Sequence, residues 1–168
     1  MYQLKQLPED FRVKEINNLP LKDKGAYAYI KVKKVNKDTI TVVSDIARSL
    51  HLKEKEVGFA GNKDRNAITE QVMSIKGVSA AKIKTIYIPN VTITVLGYGQ
   101  EPITLGALQG NSFQIVIRNI TTERVEKVTH FENYFDEQRF SGKNSDVGRL
   151  LVKKKFSEAL TLINDRHC

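Results

Sequence analysis

The stretch AYAYIKVKKV, residues 26–35, alternates in a period of two, with Tyr27, Tyr29, Lys31 and Lys33 on one face. That is the pattern of a half-buried strand. FRVKEI (11–16), just before it, reads the same way. After it, Asn36-Lys37-Asp38 turns the chain. In TITVVSDIARSLHL, the residues Val42, Val43, Ile46, Ala47 and Leu50 then recur at helical spacing, which predicts an amphipathic helix over 39–51. Strands are expected at Val57 to Phe59 and over 67–76, with a short helix over 79–85. IYIPNVTITVLGYG (86–99) is extended, Pro89 marking a bend or an edge. SFQIVIRNI (112–120) is a further strand, and Thr121 or Thr122 caps an expected helix over 123–132. Residues 144–164 carry Val147, Leu150, Leu151, Ala159, Leu160 and Ile163 at helical spacing. Strands outnumber helices and interleave with them irregularly. The expected class is α+β, with a mixed, mainly antiparallel sheet and helices packed on one side.

The chain has 168 residues, which predicts a single domain over 1–168. No apolar run approaches the roughly 18 residues a membrane span needs. MYQLKQLPEDF at the start lacks the apolar core of a signal peptide. Cys168 is the only cysteine, so no internal disulfide forms, which suits a reducing cytoplasm. His51, His130 and His167 lie far apart without ligand spacing, and no structural zinc is expected. Twenty-seven Lys and Arg against nineteen Asp and Glu give a net charge of +8. Such an excess favours a polyanion as partner, because each neutralised phosphate releases condensed counterions. An even scatter of cations on an ordinary soluble protein gives the same total, and charge alone does not separate the two.

Motif by motif, the segments that could carry chemistry thin out. GALQGN (106–111) has too short a gap and no following Lys-Ser/Thr, so it is not a phosphate loop. KGAYAYIKV (24–32) has the aromatic spacing of RNA-recognition strands, with Ala26 as an extra residue. Tyr27 and Tyr29 could stack bases there, or simply pack on a sheet face. The lysines of VKKKF (152–156) form a solvated face inside the last helical segment. In FAGNKDRNAITEQ (59–71), Asp64 sits between Lys63 and Arg65 at the mouth of a strand. A polar-loop acid is usually a turn former. Flanking cations favour its ionised form, which fits covalent catalysis better than proton donation.

Four separated stretches together resemble one family, the TruD-type tRNA pseudouridine synthases. KQLPEDFRVKE (5–15), FAGNKDRNAITEQ (59–71), GALQGNSFQIVIR (106–118) and NYFDEQRF (133–140) match the family's motifs in order across most of the chain. The resemblance implies an isomerase that detaches a uracil from its ribose, rotates it and rejoins it through carbon. It places Asp64 on the catalytic aspartate and Phe113 on the aromatic that stacks on the target base. Asn111 falls on the asparagine that bonds the acid or the base. Lys5 falls on the basic residue that pairs with Asp64 or a substrate phosphate. Lys63 and Arg139 are further substrate contacts, and Glu9 and Gln138 support the loops. The implied substrate is tRNA, at a uridine in the D arm (position 13), and no cofactor or metal is implied. The uracil must leave the stack, at roughly a few kcal/mol, which stacking on Phe113 and basic contacts offset.

The family also sets two departures. Ser141 precedes Gly142 where the family goes directly from QRF to Gly. Family members are also longer, with an inserted domain and a return of the catalytic domain that finishes its sheet. On that footing the sheet is incomplete here, and another chain or the missing half is an expected partner. The rival reading is a non-catalytic RNA-binding module built on Tyr27, Tyr29 and the lysine faces. A protein–protein module with incidental basicity is the third.

Overall fold

The structure is a computed structural model that describes residues 2–121, 127, 129–130 and 144–164. The chain divides into two compact units, Met1–Glu123 and Arg124–Cys168.

The first unit is built on strands β1 (Gln3–Leu4), β2 (Phe11–Ile16), β3 (Tyr27–Val35), β4 (Val57–Phe59), β5 (Ile68–Lys76), β6 (Val91–Gly99), β7 (Gly110–Ile115) and β8 (Ile117–Arg118). Its helices are α1 (Thr39–Leu50) and α2 (Ala80–Ile83). The main sheet runs β6-β3-β5-β2-β7, with β4 paired to the end of β5. Only β2 and β5 are parallel; the other pairs are antiparallel. The α+β class and the mixed, mainly antiparallel sheet therefore hold.

Strand alternation decides where the core lies. Ala28, Ile30 and Val32 of β3 and Met73 and Ile75 of β5 face one way and are buried beneath Val42, Val43, Ile46, Ala47 and Leu50 of α1. Each of the Val, Ile, Leu and Met side chains among them contributes about 1.5–3 kcal/mol by leaving water. Ile83 of α2 joins the same core, so both helices cover one face of the sheet. Asp38 caps α1, its carboxylate accepting the Thr41 amide at 2.8 Å. The helix ends at His51, which takes the left-handed conformation usually given to glycine. The amides of His51 and Leu52 close the last turn on the carbonyls of Arg48 and Ala47.

The opposite face settles the reading of the tyrosines. Tyr29 is only 3% exposed and packs with Ala60, Val72 and Ile103. Its hydroxyl donates to the Glu101 carbonyl at 2.8 Å, and its ring passes over Gly99, where a Cβ would lie 2.2 Å from that hydroxyl. A base cannot stack on a ring so enclosed, and the two-tyrosine platform of the rival reading is absent.

Two other boundaries differ for local reasons. Pro89 and Asn90 (φ 62°) form a tight turn closed by the Val91 amide on the Ile88 carbonyl, so the strand begins at Val91. The strand expected over 112–120 breaks at Val116, whose amide donates to the Asp10 carbonyl at 2.7 Å. Beyond it β8 turns away to pair with β1. The helix expected over 123–132 lies largely outside the described residues.

The second unit contains α3 (Asn144–Val152) and α4 (Phe156–Asn164), in contact with one another. The segment 144–164 is thus two helices. Lys154 (φ 58°) breaks it, the amides of Lys154 and Lys155 capping the carbonyls of Leu151 and Leu150. The lysines of VKKKF form this connection rather than the face of one continuous helix. Among the described residues no helix is long and apolar enough to cross a membrane.

Candidate active site

Residues 60–67 join β4 to β5, and four elements converge to fix them. The Thr39 hydroxyl, at the start of α1, accepts the Lys63 amide at 3.0 Å and donates to Gln71 at 3.2 Å. Gln71 of β5 in turn donates to the Gly61 carbonyl at 3.3 Å. From β2, Glu15 takes the Lys63 ammonium at 2.6 Å, in a pair whose side chains are 0% and 5% exposed. From β3, the fully buried Lys34 donates to the carbonyls of Lys37, Lys63 (3.3 Å) and Asp64 (2.8 Å). Carbonyls buried this way need a donor, and one ammonium supplies all three.

Burial pushes the Lys34 ammonium down to about 8, against the partial support of Asp38 and Asp64, with Lys63 adding to the depression. Below its ordinary value of 10.5, the folded chain holds fewer protons at this site than the unfolded chain. The stability contributed here therefore rises with pH from about 8 to about 10.5. Lys34→Met is expected to cost about 1–3 kcal/mol at neutral pH, three carbonyls losing their donor. Urea denaturation of both proteins should show the gap widening above about pH 8, since only the wild type gains over that window. A gap independent of pH would contradict the burial of this charge.

Held this way, the Asp64 carboxylate is half-exposed at an open hollow of about 500 Å³ lined by Lys5, Asn36, Asp64, Arg65 and Asn66. The cation that reaches it is Lys5, at 3.5 Å. Lys5 takes a left-handed backbone (φ 53°) between β1 and the 3-10 turn Pro8–Asp10. Its ammonium lies 3.8 Å from the centre of the Phe11 ring, a cation–π contact. Phe11 meets Phe113 of β7 at 6.1 Å between ring centres, tilted by 51°. Phe113 does not line the Asp64 hollow itself; it is joined to it through Phe11 and Lys5. It is 58% exposed.

The opening segment that carries Lys5 and Phe11 is tied down in its own right. Arg118 grips Asp10 with two bonds, at 2.8 and 2.6 Å, and the Leu7 amide adds a third at 3.1 Å. The Arg118 guanidinium is the main cause holding the Asp10 carboxyl down at about 2.

Of the expected site residues, Asp64, Lys5 and Phe113 form a connected row. Asn111 is exposed, directly opposite Glu15 across the β2–β7 ladder and two residues before Phe113, hence on the same face. Lys63 lies beneath the loop, committed to Glu15, rather than in the hollow. Glu9 lies in the 3-10 turn. Gln138 and Arg139 lie outside the described residues. Lys34 and Thr39 carry the loop, and no motif in the sequence points to either. For Lys34 a signal exists all the same: strand parity places it in line with Ala28, Ile30 and Val32, the buried face.

Comparison with known proteins identifies the family. The family model described as tRNA pseudouridine synthase D (TruD) matches residues 2–166. A protein named tRNA pseudouridine synthase D from Aquifex aeolicus is 37% identical over 94% of this chain and 45% of its own length. Another of that name from Syntrophotalea carbinolica is 31% identical over 93% of this chain and 42% of its own. A crystal structure titled as a tRNA pseudouridine synthase D from Methanosarcina mazei superposes with a TM-score of 0.68 at 37% identity. It covers 70% of this chain and 27% of the solved one. The chain thus spans less than half the length of these relatives. With the family model matched from Tyr2 to Arg166 around a pinned Asp64, the chain belongs to the tRNA pseudouridine synthase D (TruD) family.

Proposed function

We propose that the chain forms the Asp64-bearing part of a tRNA pseudouridine synthase acting on a uridine in the D arm. The single observation that carries this reading is the loop itself. One half-exposed carboxylate is presented to solvent by a backbone anchored from β2, β3, β5 and α1, next to a cation and in line with an exposed phenyl ring. Such investment in the position of one acid fits a reacting group better than a turn.

The reaction is an isomerisation. The bond from the ribose carbon to the ring nitrogen breaks, a bond to the ring carbon C5 forms, C5 loses its proton and the nitrogen gains one. Nothing is oxidised or reduced. Asp64 supplies the anionic oxygen that acts on the ribose or the ring. Phe113 gives the extruded uracil a stacking face, and Asn111 stands beside it as a hydrogen-bonding partner for the acid or the base. Lys5 orients the carboxylate; its half-exposed pair adds little to stability. Arg139 contacts the RNA. The cytoplasm is the compartment in which this activity belongs.

The test is direct. Unmodified tRNA transcripts with uridine tritiated at C5 are incubated with the chain and with the product of its complete reading frame. Isomerisation releases tritium to water. Release from a D-arm uridine is the expected result; no release from any tRNA by either protein would overturn the proposal.

A further inference from the structure

A second cavity, of about 480 Å³, lies at the other end of the main sheet. Tyr27 and Lys76, which pair directly across β3 and β5, line it together with Lys53, Lys55, Glu56 and Thr104. Asp64 is bound through its carbonyl to Lys34, at the far end of β3. Lys34 lies seven residue steps along β3 from Tyr27, which sets the two sites roughly 25 Å apart.

The charge around this cavity is unbalanced in a specific way. Lys53, Lys55 and Lys76 are all exposed, and among the described residues none has an ion pair or a side-chain hydrogen bond. The one acid in the lining, Glu56, is turned to the backbone amide of Lys53 at 2.9 Å. Three uncommitted ammonium groups around one hollow repel each other unless an anion joins them. Tyr27, half-buried on the wall, adds an aromatic surface beside them. Lysines act as point charges without the bidentate fork of arginine, so the site suits phosphate oxygens in variable orientation rather than one fixed carboxylate.

We infer that this cavity is a second RNA contact, which takes a backbone phosphate between Lys53, Lys55 and Lys76 with a neighbouring base or ribose against Tyr27. It rests on the proposed function only in taking RNA as the polyanion. A contact this far from Asp64 reads a part of the RNA remote from the reacting uridine. It holds the RNA through sequence-independent charge.

Binding of unmodified tRNA to the full chain, measured over a series of salt concentrations, tests it. The triple variant Lys53→Gln, Lys55→Gln, Lys76→Gln is compared with a charge-matched control, Lys14→Gln, Lys33→Gln, Lys84→Gln. All six lysines are exposed, so both variants should keep the fold, as circular dichroism would check. Each phosphate left without its lysine should lower the slope of log affinity against log salt by about 0.7–0.9. The cavity variant is expected to lose about 0.7–0.9 of slope, the share of one phosphate, and at least about tenfold in affinity at low salt, the control well under half of that. Tyr27→Leu should weaken binding about tenfold with the slope unchanged.

Equal losses in the two triple variants would mean diffuse attraction and would overturn the site. So would an unaltered slope in the cavity variant. If inorganic phosphate perturbs Tyr27 at micromolar concentration while RNA binding ignores the triple variant, the cavity takes a small free anion and the RNA assignment fails. The readout is binding, so it stands or falls apart from tritium release.

Discussion

Asp64→Asn is expected to abolish pseudouridine formation, by on the order of 10⁴-fold or more, while leaving the fold and tRNA affinity within about twofold of wild type. The amide matches the carboxylate in shape and cannot carry its charge. The side chain is half-exposed, and the bonds that fix the loop run through backbone atoms and through Lys63, so all of them survive the change. Tritium release under single-turnover conditions, alongside tRNA binding, measures both halves of the claim. A variant that folds, binds tRNA and turns over within about tenfold of wild type would remove Asp64 from the chemistry.

The second large effect concerns stability. Lys63→Met should cost about 3–5 kcal/mol in urea denaturation, because it leaves the Glu15 carboxylate buried without its cation. The amides of Val72 and Asn17 still reach that carboxylate, at 3.2 and 3.0 Å, but neither carries a charge. The double variant Glu15→Gln, Lys63→Met should regain part of the loss, since the orphaned charge goes as well. By contrast Lys5→Met, which breaks a half-exposed pair at 3.5 Å, should change stability by less than about 1 kcal/mol. Equal costs at positions 63 and 5 would mean that burial does not distinguish the two pairs.

Much of this was legible from residue order alone. The alternation in β3 and the helical spacing in α1 fix one covered face of the sheet, and both elements fall within a residue of their expected ends. The position of Asp64 was equally plain, because a charged loop followed by an alternating strand has few other readings. Its electrostatic neighbourhood was not. Proximity along the chain pointed to Lys63 and Arg65 as the cations beside the acid, yet a loop residue's side chain can leave on either side. Lys63 goes down to Glu15, 48 positions earlier, and the pairing cation comes from Lys5. Long-range partners of this kind are set by topology, through the parallel pairing of β2 with β5, which no local pattern announces. Tyr29 shows the same limit from the other side. Period two places it correctly on the face away from α1, but a return of the chain over residues 100–108 covers it.

The order of the anchors along the chain has its own consequence for biosynthesis. Glu15, Lys34, Thr39 and Gln71 all precede residue 72, whereas Phe113 and Asn111 come about forty residues later. As the polypeptide emerges from the ribosome, every group that frames the carboxylate is available before the ring proposed to receive the base has been translated. The acid can be set on its anchored loop before the ring at the other end of the row exists.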